Sequence, residues 1–298
     1  MISVVVPVYN EEDSVEKVLD QIHTVMGATG EDYELIVVND GSTDRSGEVL
    51  AGRTDVTVLS HPGNEGYGRA LKTGISAARG EWIAILDADA TYPVGALASL
   101  LSAREGYDMV VGARVQSRNI SLPRRIGQSV MRLLVRALTN VHVPDLNSGL
   151  RVFRRELAEE FWGLLPEGFS FTTTITVAAL SARRRVRYVA IDYHKRVGKS
   201  SINPVTDFHN FLMLIVMTVT YFRPLKFYVP VSYVLFGLAA LRGIRDIIVL
   251  DRLAGLTVIL VMLAVQVWFF GLLADILVKR TEQVRRASRD EPRGGRAA

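Results

Sequence analysis

The stretch LDADATYP, Leu86–Pro93, sets two carboxylates, Asp87 and Asp89, one residue apart at the end of an apolar run. Each raises the cost of ionising the other, so the pair needs either water around it or a positive charge between its members. A solvated loop pair is the bland reading. Against it, the residues just before, WIAIL, have the composition of a core strand, which puts both carboxylates at a strand end. Two oxygen donors there suit a hard divalent cation, Mg²⁺ or Mn²⁺, bound together with substrate phosphates. A diphosphate bridged in this way is a good leaving group, because the cation neutralises charge developing on its oxygens.

Two further apolar runs also end in polar groups: VYNEE, Val8–Glu12, and VNDGSTD, Val38–Asp44. In the second, Asp40 opens a turn that Gly41 permits, and Ser42, Thr43 or Asp44 can cap the helix that follows. Alone, that is only a turn and a capped helix. Three such ends together are a stronger clue.

Stretches 2–9, 34–40, 56–61, 82–89 and 109–114 read as strands, from Ile2–Tyr9 to Met109–Arg114. Segments near 12–26, 44–52, 65–79 and 94–104 carry apolar residues at three- and four-residue spacing and read as helices. Strands that are nearly all apolar, alternating with helices, predict an α/β fold with a mostly parallel sheet flanked by helices on both faces. Such sheets take ligands at the carboxyl ends of their strands, where the strand order reverses. GNEGYGRALKTG, Gly63–Gly74, is glycine-rich, but it does not spell G-x-G-x-x-G and it follows the third strand. The chain also lacks a phosphate-loop signature, a G-x-S-x-G elbow and paired His at metal-ligand spacing. With no cysteine, thiolate catalysis, disulfides and Cys-ligated zinc are excluded, which fits a reducing compartment.

The 298 residues are 49% hydrophobic, with a mean hydropathy of +0.20, and the apolar excess lies near the C-terminal end. Leu253–Ala274 carries no charge, and a bilayer core needs roughly 20 apolar residues. Phe227–Leu241 is shorter and also uncharged; Lys226 and Arg242 can snorkel from its ends, and Pro230 suits a first turn. Residues 208–222 are apolar but include His209 and Asn210, and read as a helix lying in the interface. Residues 279–298 hold seven Lys/Arg against three Asp/Glu, whereas 242–252 hold three Arg against two Asp. The tail is thus the positive, cytoplasmic side. MISVVVPVYN lacks the basic and apolar regions of a signal peptide, so the N-terminal part is expected on that side too. Two spans follow, with a buried hydrophobic hairpin as the alternative. A formal net charge of +4 does not by itself separate nucleic acid, membrane surface and anionic substrate as partners.

VVVPVYNEE, VVNDGSTD, NEGYGRALKTG, ILDADATYP and DLNSGLRVFRR occur in the order seen in family 2 glycosyltransferases, and residues 2–203 resemble that family. HKRVGKSSI, His194–Ile202, with the two spans, looks like the subgroup that glycosylates polyprenyl phosphates, such as dolichol-phosphate mannose synthases. The resemblance implies a GT-A fold, a nucleotide-sugar donor (UDP- or GDP-linked) and a D-x-D metal site. It implies that Pro7, Tyr9 and Glu11 line the nucleotide pocket and that Asp40 bonds the base or ribose. Asp87 would contact nucleotide and metal, Asp89 would ligate the metal, and Asp145 would be a candidate general base. Ser148 and Gly149 would form a close-packed turn beside the donor. Arg114, Arg118, Arg124 and Arg125, with Lys195, Arg196 and Lys199, would offer cations to the acceptor phosphate. Two features depart from the pattern. Thr91 stands where the mannose synthases have a metal-contacting Gln, and Gly198-Lys199-Ser200-Ser201 lacks the final Lys of Gly-x-Ser-Lys. Q-x-x-R-W, the mark of processive synthases, is absent, so one sugar per turnover is expected.

The expected organisation is a catalytic domain over 1–203, a juxtamembrane amphipathic helix over 204–225, two transmembrane helices within 226–278 and a basic tail over 279–298. The expected activity is metal-dependent transfer of one sugar from a nucleotide to polyprenyl phosphate at the cytoplasmic membrane face. The lipid cannot leave the bilayer, so the catalytic face must be held against it. Alternatives are a transferase acting on a lipid-linked oligosaccharide and a non-catalytic nucleotide-sugar sensor. No nucleic-acid partner is expected, and a short membrane hairpin suits self-association into a homo-oligomer.

Overall fold

The computed structural model describes residues 1–114, 136, 141, 143–168, 170–192, 220–221 and 224–290, with backbone only over 281–290. The chain divides into two compact units, Met1–Leu214 and Ile215–Ala298.

In the first unit, in chain order, lie β1 (Ile2–Val8), α1 (Val15–Thr29), β2 (Tyr33–Asn39), α2 (Ser46–Ala51), β3 (Thr57–Ser60), α3 (Tyr67–Ala77) and β4 (Trp82–Ile85). There follow α4 (Ala96–Ser102), β5 (Met109–Arg114), β6 (Arg151–Arg154), α5 (Arg155–Glu160), α6 (Phe171–Ser181) and β7 (Val186–Ile191). The strands form one sheet in the order β3-β2-β1-β4-β6-β5-β7. Only β6 runs against its neighbours, β4 and β5.

Burial explains the arrangement. Every residue of β1, ISVVVPV, is buried, as a central strand covered on both faces requires. On one face α1 presents Val15, Val18, Leu19, Ile22 and Met26, an apolar stripe at helical spacing, and stops at Gly30 in the left-handed conformation with φ 69°. On the other face α3 comes so close that a Cβ on Gly74 would collide with Val5.

The site's crevice is written into strand pairing. β1 stays paired with β2 up to Val8↔Asn39, but its pairing with β4 ends at Val5↔Ile85. Pro7, with no N–H to donate, sits just beyond that last pair. The sheet therefore splits at its carboxyl edge between β1 and β4, where the order turns outward to both sides, as in other open α/β sheets.

The expected strands and helices of the first 114 residues are present, most with shorter ends, while α1 runs on to Thr29 and β2 is shifted one residue, to Tyr33–Asn39. The largest trim is at β4, which stops at Ile85, so Asp87 and Asp89 stand on the following loop and not on the strand. Ala90 there takes φ 55°, a left-handed conformation costly for a residue with a side chain.

The second unit is a helical hairpin of α7 (Pro224–Leu250) and α8 (Gly255–Asp290). α7 begins earlier than the sequence suggests, which puts Pro230 inside the helix and removes one i→i−4 bond. The buried Asp246 closes the turn: its Oδ2 accepts from the Ala254 amide at 3.1 Å and the Thr257 hydroxyl at 2.5 Å. Gly271 lies flush against Tyr228, where a Cβ would come within 2.7 Å, so a small residue sets this helix contact. Among the described residues, one helix, Gly255–Arg280, is long and apolar enough to cross a membrane. The interfacial helix expected over 208–222 falls, apart from Thr220 and Tyr221, outside the described residues.

Candidate active site

Side chains join the loops after β1 and β2 into one rim. Asn10 bonds the second loop through its Oδ1, which accepts from the Thr43 amide at 2.7 Å, and through its amide, which donates to the Ser42 hydroxyl at 3.1 Å. The Glu11 amide donates to the Ser46 hydroxyl at 2.9 Å and the Glu12 amide to Asp44 at 3.1 Å. Tyr9 is exposed at the rim. Pro7 is buried beneath it, and Glu11 is half-buried with its carboxylate accepting from the Ser14 hydroxyl at 3.3 Å. Gly41, at φ 67°, passes so close to Gly63 that no other residue fits.

Asp40 is almost fully buried and acts as a hub. Its Oδ1 accepts from the Glu65 amide at 2.9 Å and faces Nδ1 of His61 at 2.7 Å, and its Oδ2 accepts from the Gly66 amide at 2.9 Å. The far nitrogen of His61 meets the Thr73 hydroxyl at 2.9 Å. Asp40 thereby holds the start of α3 and uses three of a carboxylate's roughly four acceptor positions. The larger share of its bonding is internal, which leaves about one acceptor position for the base or ribose contact that the resemblance implies.

The held end of α3 brings Tyr67 to Asp87, whose Oδ1 accepts from the Tyr67 hydroxyl at 2.7 Å. On its other side Asp87 lies against Gly149, where any Cβ would collide with the carboxylate. The Gly149 amide in turn donates to the Tyr92 hydroxyl at 2.7 Å. Burial, then the charge of Asp89, push the Asp87 carboxyl up to about 6. Asp89 Oδ1 accepts from both the amide of Thr91, at 3.1 Å, and its hydroxyl, at 2.6 Å. Thr91, nearly fully buried, thus orients Asp89; the structure gives the position of the absent Gln a positioning task instead.

Among the described residues, no three His, Cys, Asp or Glu side chains group as a metal cage. The D-x-D pair nevertheless fits a hard cation: the donors are oxygens, and the charge of Asp89 raises the cost of ionising Asp87 until a positive charge is added. Mg²⁺-type ions need only one or two carboxylates when substrate phosphates supply the rest.

Asp145 is found in a different occupation from the expected base. Arg114, at the end of β5, grips it with a two-pronged bridge, Nε to Oδ2 at 2.6 Å and Nη2 to Oδ1 at 2.8 Å. The amides of Arg114 and Asn147 add bonds of 3.2 and 3.1 Å. Four donors fill the acceptor capacity of this carboxylate, so it has no lone pair in place to take a proton. The pair instead pins the loop 145–149 to β5.

That loop is held from behind by α6, which the sequence reading did not anticipate. The hydroxyl of buried Thr173 donates to Asn147 at 2.6 Å. Arg151, wholly buried, reaches from β6 to Thr172 O at 2.7 Å, the Thr176 hydroxyl at 2.9 Å, and Ser148 O through both Nε, at 3.1 Å, and Nη2. The signal for α6 was FTTTIT, a threonine run too polar for an apolar stripe and too β-branched for an obvious helix. Ser148 is buried and Gly149 stands against Asp87. Arg118, Arg124, Arg125, Lys195, Arg196 and Lys199 lie outside the described residues.

The open, mostly parallel sheet is split at its carboxyl edge, and the D-x-D loop stands at that split. The description glycosyl transferase family 2 matches residues 3–162, and the GtrB C-terminal hairpin matches 223–279. The chain belongs to glycosyl transferase family 2 and is a glycosyltransferase. It is 30% identical over 263 residues to an undecaprenyl-phosphate 4-deoxy-4-formamido-L-arabinose transferase of Pseudomonas fluorescens, covering 86% of this chain and 75% of that one. It is 34% identical over 164 residues to the protein of the same name from Photorhabdus laumondii, covering 53% of this chain and 50% of that one. The glucosyl-3-phosphoglycerate synthase of Mycobacterium tuberculosis, crystallised with Mn²⁺, UDP and phosphoglyceric acid, shares the fold at 23% identity. Its TM-score is 0.58, over 73% of this chain and 78% of that one.

Proposed function

We propose that this protein transfers one sugar from a UDP- or GDP-linked donor to the phosphate of a polyprenyl phosphate, held at the cytoplasmic face of a membrane. The observation that carries it is the D-x-D loop at the split edge, in a chain whose relatives are named for sugar transfer to undecaprenyl phosphate. Asp89 and Asp87 would hold Mg²⁺ or Mn²⁺, with Thr91 and Tyr67 fixing their orientation. When bound, the cation supplies charge neutralisation for the departing nucleotide diphosphate. Pro7, Tyr9, Glu11 and the remaining acceptor position of Asp40 would line the nucleotide side, and Ser148 and Gly149 the sugar side. A lipid phosphate is anionic at neutral pH and needs no base, which agrees with an Asp145 committed to Arg114. Arg118, Arg124, Lys195, Arg196 and Lys199 are the proposed cations for the acceptor.

Membrane attachment rests on the second unit. Among the described residues, the large hydrophobic side chains exposed outside it are Met1, Tyr9 and Val141; all others lie between Val231 and Leu277. An apolar surface so concentrated needs a partner, and a bilayer matches its helical geometry. We read α7 and α8 as two spans, with both termini cytoplasmic and the hairpin as the surface for self-association.

Full-length protein in vesicles containing undecaprenyl phosphate, given labelled UDP- and GDP-sugars with Mn²⁺ or Mg²⁺, tests the reading. Label should appear in a lipid carrying a single sugar with one donor class. Label confined to free sugar, or to a lipid-linked oligosaccharide, would contradict it.

A further inference from the structure

We infer that Arg151 is a positioning residue whose buried charge serves the diphosphate: it fixes the Ser148–Gly149 turn behind Asp87 and supplies a standing positive potential to that edge. The inference rests on the nucleotide-sugar reading.

Arg151 is fully buried, yet all its bonds go to uncharged oxygens, the carbonyls of Ser148 and Thr172 and the hydroxyl of Thr176. Among the described residues, no carboxylate lies within ion-pair distance of it, whereas the nearby Arg114 has Asp145 at 2.6 Å. A buried cation without a counter-ion is costly, and apolar residues of similar volume commonly serve a core at least as well. Packing alone therefore does not account for an arginine here.

Its position suggests what does. In the sheet Arg151 pairs with Ile85, the last residue of β4, two residues before Asp87. Ser148, whose carbonyl takes two of its N–H groups, is joined to Gly149, which touches the Asp87 carboxylate. Because the guanidinium lies inside protein and not in water, its field is weakly screened and is already in place before substrate arrives. Two ionised aspartates make the edge negative; an incoming diphosphate brings more negative charge than one divalent cation neutralises. A fixed cation on the protein side of the loop offsets the difference without competing for the metal's ligands.

A pure staple makes a different prediction from a charge. A staple that fails would disorder the whole edge and weaken every ligand of the pocket, charged or not. Loss of charge would weaken the diphosphate selectively. The test is calorimetric titration of full-length wild type, Arg151→Lys and Arg151→Met with UDP and GDP in Mn²⁺, and with uridine and guanosine. For the preferred base, Arg151→Met should weaken the diphosphate about tenfold or more and the nucleoside less than about twofold. Arg151→Lys, which keeps charge but not the fork, should recover most of the diphosphate affinity. Equal losses for diphosphate and nucleoside, or none, would overturn the inference. If Arg151→Met does not fold, the lysine variant decides alone: a preserved ratio of diphosphate to nucleoside affinity supports the charge, and a ratio lowered tenfold sinks it. A wild type that binds neither diphosphate would instead remove the nucleotide-sugar reading, and this inference with it.

Discussion

Asp87 is asked to be an anion in a place that opposes anions. Half-buried beside Asp89, it ionises in the folded protein near 6, against an ordinary 3.8. The unfolded chain gives up its proton first, so folding loses stability as pH rises from about 4 to about 6, and the loss persists above that. The full shift corresponds to at most about 3 kcal/mol, reduced by whatever solvent reaches the group. Asp87→Asn keeps an acceptor for the Tyr67 hydroxyl and removes the charge. In chelator it should therefore unfold at higher temperature than wild type at pH 7.5, with the gap closing near pH 4, while transfer is lost. A variant less stable than wild type at pH 7.5 would mean that the charge is compensated by some other group. The D-x-D was legible because two carboxylates after WIAIL are an unusual expense in a sequence. What each neighbour does was not. Asp145 looks the same in a sequence whether it takes protons or bridges Arg114, and Thr91 looks the same as ligand or as buttress; only the bond partners separate those roles.

Elements decide how those residues meet. β1, β2 and α3 are readable from composition, because continuous β-branched runs and a three-four apolar period leave few alternatives. The glycines explain the closeness: Gly74 lets α3 settle on Val5, and the α3 start, tied to Asp40, then carries Tyr67 to Asp87. Gly74→Ala should cost about 1–3 kcal/mol by overpacking. Its urea midpoint should fall at unchanged slope, with turnover of the folded fraction reduced as α3 shifts; an unchanged midpoint would mean the helix yields freely. β6, β7 and α6 escaped the sequence reading for physical reasons. β6 is four residues long and reversed, and α6 buries threonines whose hydroxyls are satisfied by the helix and by the 145–151 loop. Polar residues that are buried for bonding give no apolar period to read.

At the scale of the molecule, the proposed reaction gives the catalytic unit and the apolar hairpin a common purpose, because its two substrates live in different phases. The hairpin was legible from length and charge, since Leu253–Ala274 has no charged residue. Its tight turn, closed by Asp246, was not. The chain has no cysteine, so single cysteines can report topology directly. A cysteine at Ser288 should react with an impermeant reagent only after the cytoplasmic face is opened, and one at Asp251 should react from the other face. Labelling of both from the same face would rule out two spans through the bilayer. The central claim, that the loop after β4 holds a cation for sugar transfer to a lipid phosphate, is tested most directly by one rate. Transfer of labelled sugar from the accepted donor to undecaprenyl phosphate is measured for wild type and Asp89→Ala, each folded and each titrated with Mn²⁺. The wild type should depend on the cation, and Asp89→Ala should lose about a hundredfold or more at every Mn²⁺ concentration. Near wild-type transfer by Asp89→Ala, or wild-type transfer undiminished by chelator, would contradict the account.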